Sequence, residues 1–251
     1  MTYYDDLTKD EKRVSVFREA IIREAHGITF DLGTGSGILA GFASKYAKKV
    51  YAFEINPLVI RHYTRENLEK YDNITLIEAD LTDYEFQEKP DVVICEMLDT
   101  ALIDEQQATV INNILNYTKN DTIFIPKSTY DTITIGSADI AHIHYVENDF
   151  PSFTAYSDEQ KYNEVHFQKR IDQNFKSDMN IKIKKSGTVN CIRLTTYTRL
   201  TKDLITKPTP MLNPPLLIPV KETKVNEEEE IIIHLEYIMG GGLNSIKANI
   251  Q

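Results

Sequence analysis

Apolar residues in this chain fall into two regimes. In the first half, short continuous apolar runs alternate with stretches where apolar positions recur every three to four residues. Ile28 to Asp31 predicts a strand, followed by glycines and a helix from about Ile38 to Tyr46. Val50 to Glu54 predicts the next strand, and Asn56-Pro57 then supplies an N-cap and a first-turn proline for a helix reaching about Lys70. Ile74 to Ile77 and Asp91 to Cys95 predict two more strands, Asp104 to Tyr117 a helix, and Thr122 to Ile125 a fifth strand. Strands alternating with helices at this spacing imply βαβ units, a mostly parallel sheet, and a ligand site beyond the strands' carboxyl ends.

After Pro126 the pattern changes. Thr132 to Ile135, Asn180 to Lys184, Cys191 to Tyr197 and Ile231 to Tyr237 are strand-like, with few long helical patterns between them. This half is expected to be antiparallel, a β-barrel or sandwich. Asp149 to Phe175 is polar and is expected to be partly helical. Pro208, Pro210, Pro214, Pro215 and Pro219 predict an irregular, extended crossing, and Glu227 to Glu230 a solvated hairpin. The fold class is therefore α/β, a Rossmann-like domain over residues 1–126 joined to a β-rich domain over 127–251.

Composition narrows the function classes. The chain has 251 residues, 38 acidic against 28 basic side chains, and a formal net charge of −10. No apolar run approaches the ~20 residues that span a bilayer, and the acidic start lacks a signal-peptide core. Cys95 and Cys191 alone make neither a disulfide framework nor a four-ligand metal site. A cytoplasmic protein without membrane attachment is expected. The acidic balance argues against a chain built to coat nucleic acid.

The most informative segment is Asp31-Leu-Gly-Thr-Gly-Ser-Gly37, between the first strand and the first helix. Gly33, Gly35 and Gly37 give G-x-G-x-G, not the dinucleotide spacing G-x-G-x-x-G, and no Lys-Ser/Thr ending makes a P-loop. Alone, such a turn fits a tight strand-to-helix connection as well as a ligand cradle. Glu54 closes the second strand, where a carboxylate can accept both ribose hydroxyls, and Asp80 follows the third, within reach of an adenine amino group. Together these residues resemble the class I S-adenosylmethionine-dependent methyltransferases. A nicotinamide-binding domain is the competing reading, disfavoured by the glycine spacing.

Glu96 and Glu105, nine positions apart after the fourth strand, narrow the resemblance. The protein arginine methyltransferases carry two glutamates at this spacing there, the double-E loop. Without the glycine turn, the pair would read as an unrelated strand-end and helix-start carboxylate. Leu7 to Arg18 resembles that family's N-terminal helix, Ile125 to Tyr130 the crossing into its barrel, and Val225 to Ile231 with Leu243 to Ile250 the barrel's final hairpin. The resemblance implies S-adenosylmethionine as cofactor, bound by Arg13, Asp31, the three glycines, Glu54, Asp80 and Leu81, with Glu96 and Glu105 catalytic. It implies an arginine side chain of a protein as acceptor, and a homodimer. The family's Thr-His-Trp loop would fall near Pro210 to Leu212, but the chain has no tryptophan; His142 and His144 are the replacement candidates. A different acceptor (a small amine, a thiol or RNA) and a non-catalytic scaffold remain as alternatives.

Overall fold

In a computed structural model, which describes residues 9–251, the first-half apolar runs form one parallel sheet. Its strands are β1 (Ile28–Leu32), β2 (Lys49–Glu54), β3 (Ile74–Glu78), β4 (Val92–Cys95) and β5 (Ile123–Ile125), in the order β3-β2-β1-β4-β5. β4 is buried at every position and β1 at four of five. Helices cover both faces of such a sheet, so its strands read as continuous apolar runs.

Helix α1 (Glu11–Glu24) is capped by Asp10, whose Oδ1 accepts from the Arg13 N–H at 3.0 Å. Its residues Phe17, Ala20 and Ile21 are fully buried. The sequence expectation for Leu7 and Thr8 lies outside the described residues. Helix α2 (Ile38–Ala43) starts directly after Gly37. The helix expected from Asn56 to Lys70 is present as α3 (Pro57–Val59), a π turn (Ile60–Thr64) and α4 (Arg65–Leu68). The helix expected from Asp104 begins later, as α5 (Gln107–Ile114), with a 3-10 turn at Leu115–Tyr117. The N–H groups of Ile103, Asp104 and Glu105 are instead donated to the Asp99 carboxylate.

The second half is β apart from a 3-10 turn at Leu243–Ser245, arranged as a sandwich and not as a closed barrel. β6 (Ser128–Ala138), β7 (His144–Tyr145), β8 (Phe153–Ala155), β9 (Gln160–His166), β11 (Gly187–Arg199), β12 (Ile205–Thr206) and β13 (Leu216–Val225) form the larger antiparallel sheet. β10 (Asn174–Lys182), β14 (Glu230–Ile238) and β15 (Lys247–Ile250) form the smaller one. Ile133 and Ile135 of one sheet, and Ile181, Ile231, Ile233 and Leu235 of the other, alternate inward as the pleat requires. The partly helical expectation for Asp149 to Phe175 is corrected: β8, β9 and the start of β10 occupy it. β9 pairs with β6 from Ser128↔His166 to Ile133↔Gln160, so tertiary pairing outweighs its polar composition. The proline-rich crossing is irregular as expected, and Pro219 sits in β13 beside a register shift.

The loop after β4 leans on the second half. Thr100 Oγ1 donates to the Pro214 carbonyl at 2.7 Å, Gly240 N–H to the Leu102 carbonyl at 2.8 Å, and Gly242 N–H to that of Ile103 at 2.9 Å. One continuous apolar core includes residues from both halves. Among the described residues, no helix is long and apolar enough to cross a membrane.

Candidate active site

The glycine turn curls over the carboxyl end of β1. Gly33 has φ +73°, and a Cβ there would stand 2.8 Å from the Met97 Cγ. Gly37 has φ +84°, and its Cβ would stand 2.8 Å from Leu68. Only glycine meets both the left-handed backbone and the close approach. Glu54 ends β2 nearly buried; its Oε2 accepts from Gly35 N–H and its Oε1 from Asn56 N–H, both at 2.9 Å. The Thr64 hydroxyl, in the π turn, donates to the Gly35 carbonyl at 2.6 Å, and Asn67 Nδ2 to the Ser36 carbonyl at 2.9 Å. Asp31 supports the turn from below, accepting from Thr34 Oγ1 at 2.6 Å and Ala40 N–H at 3.0 Å. Burial raises its carboxyl to about 6 against those two hydrogen bonds, with the Glu96 and Glu54 charges adding to the rise.

A cavity of about 290 Å³ opens over this turn, lined by Arg13, Gly33, Gly35, Glu54, Glu96 and Glu105 among others. A second cavity of about 1000 Å³ adjoins it, and Leu98, Glu105 and Met211 line both. The larger one is acidic: Asp10, Glu11, Asp99, Asp104, Glu105 and Glu147 line it against Lys9 and Lys12. Such a concentration of one sign favours a cationic occupant.

Glu96 forms a buried ion pair with Arg13. Burial raises the Glu96 carboxyl above the usual range; Arg13 opposes this and the Glu105 charge adds to it. Glu105 is raised too, by burial and then by Asp104. Gln107, fully buried at the start of α5, pins the strand end that carries Glu96. Its Nε2 donates to the Cys95 carbonyl at 2.8 Å and its Oε1 accepts from Met97 N–H at 3.0 Å. Asp99 accepts from Tyr145 at 3.2 Å as well as from the loop N–H groups, and burial raises it to about 7.

Of the residues singled out in the sequence, Arg13, Gly33, Gly35, Glu54, Glu96 and Glu105 share one cavity. Asp31 and Gly37 do not line it, although Asp31 holds Thr34, which does. Asp80 is exposed, its Oδ1 accepting from Thr82 N–H at 3.0 Å and Thr82 Oγ1 at 2.7 Å; the backbone bond leads in lowering its pKa. Leu81 is buried, and its carbonyl accepts from Asn113 Nδ2 at 3.0 Å. Neither lines the cavity. His142 and His144 are exposed and line neither of the two cavities. The segment matched to the missing Thr-His-Trp loop does reach the site: Met211 lines both cavities, and its N–H donates to Asp10 Oδ2 at 3.1 Å. Sequence reading missed Asp99, Gln107 and Tyr145. Only Gln107 had a local signal, a polar residue on the buried face of a predicted helix.

Residues 30–121 match the family model described as a methyltransferase domain. Over 248 residues the chain is 40% identical to an uncharacterized protein of Methanothermobacter thermautotrophicus, covering 99% of this chain and 97% of that one. Protein arginine N-methyltransferase 6 of Danio rerio is 27% identical over 121 residues, 46% of this chain and 34% of the relative. Among solved structures, the Trypanosoma brucei PRMT1 enzyme-prozyme heterotetrameric complex with AdoHcy has the same fold. It aligns with TM-score 0.77 and 17% identity over 91% of this chain and 85% of that one. The fold and motifs define a class I S-adenosylmethionine-dependent methyltransferase resembling the protein arginine methyltransferases. The methyltransferase domain matched over residues 30–121 implies S-adenosylmethionine as the methyl donor. Within that class, the chain belongs to the family of the Methanothermobacter thermautotrophicus protein.

Proposed function

We propose that this protein transfers a methyl group from S-adenosylmethionine to a cationic nitrogen, an arginine side chain of a protein substrate. The observation that carries this reading is the place of Glu105, at the junction of the two cavities, with Glu96 in the smaller one. A guanidinium is protonated at neutral pH and presents a planar fork of donors. Two carboxylates that grip it draw positive charge toward one nitrogen and leave another with electron density for the methyl group. In direct displacement the guanidinium nitrogen would bond the methyl carbon as the sulfonium–methyl bond breaks to leave the neutral thioether, and the methylated guanidinium would release one N–H proton to water. This needs positioning and charge placement from the protein, not a covalent enzyme intermediate.

The glycine cradle and the Glu54 carboxylate suit the ribose and its neighbours and Arg13 the methionine carboxylate. Asp80 and Leu81 are assigned to the adenine edge on the resemblance alone, since they lie outside the cavity lining. The cofactor supplies the electrophilic methyl group; the chain's own groups orient it and exclude water. Replacing Glu54 with Ala should weaken S-adenosylmethionine binding by roughly 1.5–3 kcal/mol, the range for a charged hydrogen-bond partner. Calorimetry checks this, and unchanged affinity in a folded variant removes Glu54 from the binding set.

On this reading residues 1–126 carry the methyl donor and 127–251 complete the acceptor side, in a cytoplasmic homodimer. Buried, unpaired Cys95 and Cys191 support a reducing compartment. Met211 in place of the histidine and tryptophan supports a second reading, a smaller cationic amine as acceptor. Labelled-methyl transfer from S-adenosylmethionine into a lysate of the source organism separates the two. Label on protein arginine supports the first reading, and label confined to small molecules or RNA overturns it.

A further inference from the structure

The turn that delivers Glu105 is not one its own residues favour. Residues 99–105 contain no glycine, yet Ala101 and Leu102 have φ of 58° and 57° and are fully buried. A Cβ disfavours that left-handed backbone, so two such residues in succession persist only where surrounding contacts over-determine them. Part of the hold is local: the Asp99 carboxylate takes the N–H groups of Ile103 at 3.1 Å, Asp104 at 2.8 Å and Glu105 at 3.3 Å.

The rest comes from the β half. Ala101 N–H donates to Thr196 Oγ1 at 2.8 Å, and that hydroxyl donates to Asp131 Oδ1 at 2.6 Å. Asn163 Nδ2 donates to the other Asp131 oxygen at 3.1 Å. Thr196 and Asp131 face each other across β11 and β6 and are almost wholly buried. A hydroxyl can donate or accept. By taking the Thr196 hydrogen, Asp131 leaves an oxygen lone pair for the Ala101 N–H, so the carboxylate sets the polarity of the contact that holds the turn.

We propose that Thr196 and Asp131 are positioning residues of the methyl transfer, holding the left-handed turn at Ala101–Leu102 and through it the Glu105 carboxylate where the two cavities meet. Neither residue lines either cavity. The inference rests on the reading that Glu105 grips the acceptor. It explains why a methyl-donor half with its own glycine cradle still needs the β half to complete the acceptor side.

The test compares Thr196→Val, which keeps the volume and removes the hydroxyl, with Thr196→Ser, which keeps the hydroxyl. Three quantities are read: S-adenosylmethionine affinity by calorimetry, amide exchange of residues 101–105, and methyl transfer to a synthetic arginine-containing peptide. In the Val variant we expect cofactor affinity within about twofold of the parent, with exchange in 101–105 faster and kcat lower by about tenfold or more, as for one lost buried hydrogen bond. The Ser variant should match the parent on all three. Adding Ala101→Gly to the Val variant should recover part of the turnover, because glycine adopts the left-handed backbone unaided. Should the Val variant not fold, Thr196→Ala, whose smaller side chain admits water, is read the same way. Unchanged exchange and turnover in the hydroxyl-free variant, or equal losses in the Val and Ser variants, overturn the inference. If the parent itself methylates no arginine, the proposed function fails, while the exchange measurement still decides whether Thr196 holds the turn.

Discussion

Glu96→Gln and Glu105→Gln should each leave S-adenosylmethionine binding nearly intact and lower kcat by something on the order of 10²–10³, the size found when one preorganised electrostatic contact to a transition state is removed. Glutamine keeps the volume and an acceptor oxygen but carries no charge. If the pair grips and polarises a cation, the loss falls on kcat more than on KM, because the interaction strengthens as charge shifts in the transition state. The double variant should be little worse than the poorer single one, since both residues act on one group. Burial holds both carboxyls above the ordinary range, so lowering the pH protonates them early and parent turnover should fall as it does. Glu96→Gln also changes the partner of a buried Arg13, so its fold is checked by thermal unfolding before its kinetics are read. Turnover within a few-fold of the parent in either single variant removes that glutamate from catalysis and takes the cationic acceptor with it.

Asp31→Asn should change the pH dependence of folding more than its stability at any one low pH. Asp31 is 1% exposed, and its carboxyl titrates at about 6 in the folded chain against an ordinary 3.8. Between about pH 4 and pH 6 the folded state holds a proton that the unfolded chain has released, so this group lowers stability as pH rises through that interval. Asparagine keeps an oxygen for Thr34 and Ala40 and does not titrate. The stability of the variant relative to the parent should therefore climb by roughly 2–3 kcal/mol from pH 4 to pH 8, at about 1.4 kcal/mol per unit of pKa difference. Urea titrations at both ends of the range measure it, with unchanged m-values showing that the unfolding transition is the same one. A pH-independent offset between the two proteins would show that Asp31 is not the group that titrates.

The parallel sheet was legible because its inner strands β1, β2 and β4 are largely buried and their residues must be mostly apolar whatever packs against them. β4, buried at every position, shows this most plainly. The stretch from Asp149 to Phe175 was misread because β8 and β9 are largely exposed along the sheet, with Val165 the only buried residue of β9. What makes β9 a strand is the backbone ladder from β6, and a ladder leaves no side-chain pattern in the strand it recruits.

Within the candidate site the same division holds. The glycine turn, its φ > 0 positions and the carboxylate at the end of β2 are local demands of backbone geometry, written in consecutive residues. The spacing of Glu96 and Glu105 was legible only as a motif; that both face one cavity was not. In the sequence Asp99 is one more loop acid, whereas in the fold its carboxylate takes the N–H groups of its own loop and the hydroxyl of Tyr145. Thr196 comes from the β half and carries no signal of a site in its neighbours along the chain, and Met211 was marked only as the place of an absent motif. By itself the sequence determined the class of the first half and the chemistry available at its cradle, because backbone turns and two-sided burial constrain residues close in the chain. Only the tertiary structure decided how Glu105 is held and what walls the acceptor cavity, because those contacts join residues about a hundred positions apart or more and leave no local pattern.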